Sequence, residues 1–470
     1  MFRVLFQRAI RVGGAIASAA LIAGCAAAIK NDPVNQPLTA NPRQVDTALN
    51  PDIEPNYDDM VVALSFSGGG MRAAAFSYGV LQGFNETEVR SRTGPVSLLD
   101  RLDFLSGVSG GSVLAAYYGL RGKAALGDFK ERFLLVNAEE NLQTNLSLGN
   151  IARGLQGGVN DTTGFPVWLD NHLYNHATLK DLLARPRPRV WINASDIYNR
   201  TPFVFGKTAF DALCSDIRSY RVAEAVAASA AVPLAFAPIV LETYPGGCAT
   251  QLQAWIERAR NDPNAQPLLR AFAEANAHYH DGSMRYVKLL DGGLVDNYGL
   301  SGFSIGLLAA QRPFEPMTER QAVRVRRIMF LVVDAGRDIS GDFAQRIEGP
   351  SGVELVSAAA NTAIDASVRS SYAAFSTLIN DWSAKVKRWR CGLSAAERLR
   401  LGVGANWRCG DVSVLVDRVN FDQLGPARAG ILSAIPTRFA LPAEQVDLLI
   451  DGGADALRQN KSYQAFRRGL

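Results

Sequence analysis

The sequence predicts an α/β sandwich built on a mostly parallel sheet. Three observations predict it. Short strand-like runs alternate with helix-like stretches along most of the chain. The first two strand candidates each run into a glycine cluster that opens a helix. Residues 328–333 are apolar without a break, as a strand buried on both faces should be.

Residues 61–66 are β-branched or apolar apart from Ser65 and end at Gly68-Gly69-Gly70. Residues 71–84 then read as a helix, with Ala73, Ala74, Phe76, Tyr78, Val80 and Leu81 as its apolar positions. A second strand at 102–105 runs into Gly107-Val108-Ser109-Gly110-Gly111, and a helix over 112–119 follows. Residues 190–193 form a strand with 203–205 as a candidate partner. An alanine-rich helix over Val222–Ser229 ends before Pro233. The strand at 287–290 stops at Asp291-Gly292-Gly293. Strands at 328–333 and 412–416, and helices at 352–387 and 442–458, complete the series.

Two stretches look inserted, residues 141–176 and 244–286. Long excursions in a compact fold are usually functional or disordered. The first carries Trp168, Leu169, Leu173 and Tyr174, which read either as a lid or interfacial patch or as ordinary core. The second holds a helix-like piece at 251–276.

The N-terminus reads as an address. Arg3, Arg8 and Arg11 precede an apolar, Ala- and Gly-rich run over 12–29, the pattern of a secretory signal. An uncleaved anchor is the alternative, but Leu21-Ile22-Ala23-Gly24-Cys25 resembles a bacterial lipobox. That resemblance implies cleavage after residue 24 and lipidation of Cys25, with acyl chains enough for stable anchoring. Ala26 rather than Asp follows. By resemblance to bacterial sorting signals, this places the chain on the outer membrane facing the periplasm. Residues 25–60 then read as a polar tether with five prolines, 61–340 as the catalytic core, and 341–470 as helices and a strand completing the same domain.

Composition narrows the function. The chain is 48% hydrophobic and 20% charged, which excludes disorder, collagen-like repeats and a coiled coil. Its net charge of +4 falls to +1 without the three signal arginines, so there is no polybasic footprint for nucleic acid. Four cysteines remain beyond Cys25: Cys214, Cys248, Cys391 and Cys409. In an oxidising compartment an even number suggests disulfides. Three pairings are possible, and the local one, Cys214–Cys248 with Cys391–Cys409, closes the shortest loops. There is no C-x-x-C, and the spacing matches no zinc finger or ribbon.

Three short motifs carry chemistry. Gly107-x-Ser109-x-Gly111 has nucleophile-elbow spacing between a strand pattern and a helix pattern. Ser67-Gly68-Gly69-Gly70-Met71-Arg72 is a second glycine-rich turn whose bare N–H groups can converge on an anion. It lacks the P-loop and dinucleotide signatures, so an oxyanion hole for acyl transfer fits better than a phosphate cradle. Arg72 steadies that loop, pairs with a substrate phosphate or forms a surface ion pair. A serine nucleophile needs a base. The four histidines, His172, His176, His278 and His280, all lie in the irregular excursions. Asp291 instead ends a strand, where α/β sites form. Asp451-Gly452-Gly453 repeats its letters inside a helical pattern, and Asp281-Gly282 sits in a loop.

In that order the motifs Ser67-Gly-Gly-Gly-x-Arg72, Gly107-x-Ser109-x-Gly111 and Asp291-Gly-Gly resemble the patatin-like phospholipase family. Residues 228–233, Ala-Ser-Ala-Ala-Val-Pro, resemble the family's small-residue segment before a proline. The resemblance covers roughly 61–340, with Ala73 standing where many members have glycine. It implies a three-layer α/β/α fold and hydrolysis of phospholipid or other acyl-ester lipids, with no metal or cofactor. Ser109 becomes the nucleophile, Asp291 the base, Gly68, Gly69 and Gly70 the oxyanion loop, and Arg72 its support. Two other readings use the same residues: an acyltransferase or thioesterase with the same acyl-enzyme, and a silent envelope-binding module.

Overall fold

In a computed structural model, the described residues are 30–39, 59–91, 94–140, 142–143, 150, 154, 157–248, 252–336, 343–345, 347–350, 352–404 and 406–468. Cys25 and the signal segment lie outside them. So does much of the residue 141–156 stretch.

Among the described residues ten strands form: β1 (Met60–Phe66), β2 (Glu88–Ser91), β3 (Gly94–Ser97), β4 (Leu102–Val108), β5 (Arg189–Asp196), β6 (Thr201–Val204), β7 (Ile239–Glu242), β8 (Tyr286–Asp291), β9 (Arg327–Asp334) and β10 (Ser413–Asn420). The main sheet runs β10-β9-β1-β4-β5-β8-β7, with β6 paired to β5. β10, β9, β1, β4 and β5 are mutually parallel, while β6, β8 and β7 pair antiparallel. β2 and β3 form a separate hairpin. Neither the hairpin nor β7 is signalled by a strong alternating pattern in the sequence.

The eight helices that matter here are α1 (Gly70–Asn85), α2 (Gly110–Arg121), α3 (Val222–Ser229), α4 (Ala254–Asn261), α5 (Pro267–His280), α6 (Ser301–Leu308), α7 (Gly352–Cys391) and α8 (Ala443–Gln459). The β pleat sorts side chains between two helical layers, because successive residues face opposite sides. From β1 and β9, Val62, Leu64, Phe66, Met329, Leu331 and Val333 join the core beneath α1, α2 and α8. Ala63, Phe330 and Val332 turn the other way, toward Tyr298, Phe375 and Ile379 on the α6–α7 side. The result is the three-layer α/β/α sandwich.

The expected helix over 251–276 is two helices, α4 and α5, separated by a segment carrying Pro263. Proline lacks the N–H a continuous helix needs there. Trp168, Leu169, Leu173 and Tyr174 are core, each at most 5% exposed, so the lid reading is set aside. Trp168 packs near Phe133, and Tyr174 donates its hydroxyl to the carbonyl of Val113. Both disulfides join the cysteines in the local pairing, Cys214–Cys248 and Cys391–Cys409. Among the described residues, no helix is long and apolar enough to cross a membrane.

Residues 30–39 also differ from a free tether. Asn31 and Asn35 are buried, and Val34 donates to the carbonyl of Val240 on β7. The segment is held because the Asn35 amide meets the N–H and carbonyl of Glu242 on β7, and the Asn31 amide meets the Pro238 carbonyl just before that strand and the Thr162 N–H.

Candidate active site

β1 and β4 are parallel neighbours, in register from Phe66 opposite Gly107, so the two glycine turns at their C-terminal ends are adjacent. Their contact is backbone on backbone. A Cβ on Gly110 would sit 1.8 Å from the Gly70 carbonyl oxygen, so only glycine fits. Between the turns stands Ser109, with φ 50° and ψ −124°, a conformation few side chains adopt. This is the strained elbow that lifts a serine out of a strand-to-helix turn.

Distant partners hold the elbow. The Ser109 N–H donates to Ser229 Oγ at 2.8 Å, and the Ser229 hydroxyl donates to the Asn193 carbonyl at 2.6 Å. The Asn193 amide donates to Ser106 Oγ and to the Gly107 carbonyl, at 2.8 and 2.9 Å. Ser229 belongs to the small-residue segment noted in the sequence; Asn193 carried no signal there.

Asp291, the last residue of β8, pairs with Ala194 on β5. Its N–H donates to the Ala231 carbonyl at 2.9 Å, and Ser195 Oγ donates to its carbonyl at 2.8 Å. Its carboxylate accepts a hydrogen bond at 2.8 Å from the Gly293 N–H and faces the Ser109 side chain. Burial raises its pKa from 3.8 to about 6, against the lowering effect of the Gly293 N–H and of Ser109.

The glycine loop needs one correction. The Gly68 N–H is committed to the Asn297 carbonyl at 3.1 Å, so it is not free for an oxyanion. Asn297 comes from the segment after Asp291-Gly-Gly, and its Oδ1 would lie 2.3 Å from a Cβ on Gly68. Sequence reading missed Asn297, whose only signal is its place six residues after Asp291. The N–H groups of Gly69 and Gly70 meet no backbone acceptor among the described residues. Gly70 opens α1, where N–H groups lack intrahelical partners and the helix dipole favours negative charge.

Arg72 is 3% exposed, which removes the surface ion-pair reading. Its Nε donates to the Ala335 carbonyl at 3.0 Å and its guanidinium to the Ile435 carbonyl at 2.6 Å. It ties the start of α1 to the end of β9 and to a C-terminal loop. Met71 makes a similar tie, its N–H donating to the Arg438 carbonyl at 2.7 Å.

The remaining candidates lie elsewhere. Asp451 is exposed on α8. The glycines after it serve packing, since a Cβ on Gly453 would lie 2.0 Å from the Phe76 carbonyl oxygen of α1. His172 bonds the Trp168 carbonyl, His176 pairs with Asp170, and His278 bonds Asn199. His280 Nδ1 is buried with no hydrogen-bond partner among the described residues. Among the described residues, no group of three or more His, Cys, Asp or Glu side chains is placed to hold a metal ion.

Comparison with known proteins adds the lineage. The family model for patatin-like phospholipase matches residues 64–303, a stretch that contains both glycine turns, Ser109, Asp291 and Asn297. No curated protein matches. Among solved structures, human GIVD cytosolic phospholipase A2 is 13% identical with TM-score 0.32, over 63% of this chain and 48% of that one. The same human enzyme in complex with methyl gamma-linolenyl fluorophosphonate is 14% identical with TM-score 0.38, over 90% of this chain and 61% of that one. The chain thus spans less than two thirds of the length of these structures, and both likenesses are distant. With just over half of its residues matched by the family model, the chain belongs to the patatin-like phospholipase family.

Proposed function

We propose that this protein is a membrane-anchored serine hydrolase of lipid acyl esters, of the phospholipase A or lysophospholipase type, working through a Ser109–Asp291 dyad. The observation that carries the reading is that Ser109, at a strained elbow, faces the buried carboxylate of Asp291. Cys25 carries the lipid anchor, and the protein resides in the bacterial envelope, on the outer membrane facing the periplasm.

Asp291 takes the Ser109 proton as Oγ attacks the ester carbonyl carbon. The Gly69 and Gly70 N–H groups hold the oxyanion, each donor supplying about 3–4 kcal/mol in sites of this kind. The tetrahedral adduct collapses, the C–O bond to the alcohol breaks, and Asp291 returns the proton to the departing lysolipid or alcohol. Water then gives a proton to Asp291 and attacks the acyl-enzyme. Fatty acid leaves, and Ser109 regains its proton. Arg72 supports the loop through carbonyl contacts rather than touching substrate.

A fluorophosphonate probe is expected to label the wild-type protein at Ser109 and to leave Ser109→Ala unlabelled. Absence of labelling in the folded wild type points to a silent binding module instead. Product analysis on mixed phospholipid vesicles, with Ser109→Ala as blank, separates hydrolysis from acyl transfer: free fatty acid is expected.

The base must be ionised to act. With its pKa at about 6, activity on a soluble ester falls about tenfold per pH unit on the acid side of that value. A profile flat from pH 7 to pH 4.5 excludes Asp291 as the base.

A further inference from the structure

Asn31 and Asn35 anchor the N-terminal segment from both ends of their amides. The Asn31 amide nitrogen donates to the Pro238 carbonyl at 2.9 Å, and its oxygen accepts from the Thr162 N–H at 3.0 Å. The Asn35 nitrogen donates to the Glu242 carbonyl at 2.9 Å and to Ser215 Oγ at 3.0 Å, while its oxygen accepts from the Glu242 N–H at 2.8 Å. Leu38 is buried, and its N–H donates to the Cys214 carbonyl at 2.8 Å. The receiving surface is itself pinned by the Cys214–Cys248 disulfide.

This surface adjoins the active site. Ile239, just after Pro238, pairs with Leu289 on β8, two residues before Asp291. The loop between is tied to the base, since Ala231 accepts the Asp291 N–H. That loop exposes Val232 at 40%, and two further segments expose Val167 at 47% and Leu135 at 43%. These segments pack on one another, Phe165 against Phe236 and Trp168 against Phe133.

Chain length then decides which side of the molecule meets the membrane. Asn31 follows Cys25 by six residues, which span at most about 22 Å. Were the segment free, the first anchored residue would be near Asp59, 34 residues from Cys25, a reach of about 120 Å. We propose that residues 31–38 form a docking strap that shortens the membrane tether to six residues and holds the active-site rim bearing Leu135, Val167 and Val232 against the lipid bilayer. The proposal rests on the reading that Cys25 is lipidated. Local concentration on a flexible tether falls as about the −3/2 power of its length, so the strap raises encounter of the rim with the bilayer by about tenfold.

The test uses the full, lipid-bearing protein on mixed phosphatidylethanolamine–phosphatidylglycerol vesicles. Three quantities are read: flotation with vesicles, fatty-acid release from them, and hydrolysis of soluble p-nitrophenyl butyrate. A Gly/Ser insertion of about 28 residues between Ala28 and Ile29 restores the long tether while leaving every strap contact intact. Asn31→Ala/Asn35→Ala releases the strap instead. Both proteins are expected to float like wild type and to keep the soluble-ester rate within about twofold, while vesicle hydrolysis falls about tenfold. The insertion probes the tether even if the asparagine variant folds poorly. A wild-type vesicle rate in the floating insertion variant overturns the strap and leaves the anchoring reading standing. Cys25→Ser is the separate check: if it floats and hydrolyses vesicles like wild type, the anchoring reading fails and the strap proposal falls with it.

Discussion

Asp291→Asn is expected to lower turnover by roughly 10³–10⁴-fold while leaving the fold intact, and Ser109→Ala to do the same. The amide keeps the shape of the carboxylate but cannot take the Ser109 proton. Because the two residues act as one unit, the double variant should be scarcely worse than either single one. The same substitution should raise stability. Burying a carboxylate whose pKa climbs from 3.8 to about 6 disfavours its charged form. That penalty is absent below pH 3.8 and complete above about pH 6, so the Asn variant gains up to about 3 kcal/mol at pH 7 and nothing at pH 3. Denaturant melts at both pH values read this directly. Asp451→Asn, on an exposed helix face, should change neither activity nor stability appreciably. Single replacements of His172, His176, His278 and His280 should leave most activity. If one of them, still folded, is as inactive as Ser109→Ala, a histidine belongs in the machinery and the dyad is wrong.

Gly110→Ala is expected to remove activity by about 10³-fold, the scale of losing oxyanion donors, with no catalytic group deleted. The new methyl group would occupy the position 1.8 Å from the Gly70 carbonyl oxygen, and neither partner is a side chain that can swing aside. Either the elbow or the glycine turn at 68–70 must move, and in the proposed mechanism each carries part of the reaction. Overpacking of this kind also costs about 1–3 kcal/mol or more of stability. Gly127→Ala is the control, because a Cβ there meets nothing within 4 Å and the residue lies in a helix. It should be neutral or slightly stabilising. Wild-type turnover in Gly110→Ala would mean that the two turns are not fixed against each other.

The catalytic candidates were legible because their signals are local. A strand pattern, a glycine run and a helix pattern must be contiguous to make an elbow, so Ser109 and the 68–70 loop could be read from a dozen residues each. The helical spacing around Asp451 likewise separated it from Asp291 without a structure. Local pairing of the cysteines followed from loop length alone.

Other features depend on partners far along the chain. Nothing near Gly68 says that Asn297 will take its N–H while those of Gly69 and Gly70 meet no backbone acceptor among the described residues. Trp168 and Leu173 have the composition of a patch as much as of a core, and only the packing of Phe133 and its neighbours covers them. Residues 30–39 read as a tether because their composition is polar, yet two buried asparagines fasten them to β7 and to Pro238 just before it. The sequence by itself determined most of the strands and helices, the two turns and the candidate nucleophile and base, since backbone conformation and periodicity are set by near neighbours. Tertiary structure alone decided which N–H groups stay free, which apolar faces are covered and where the N-terminal segment is held, since hydrogen-bond satisfaction and burial are set by residues that only folding brings together.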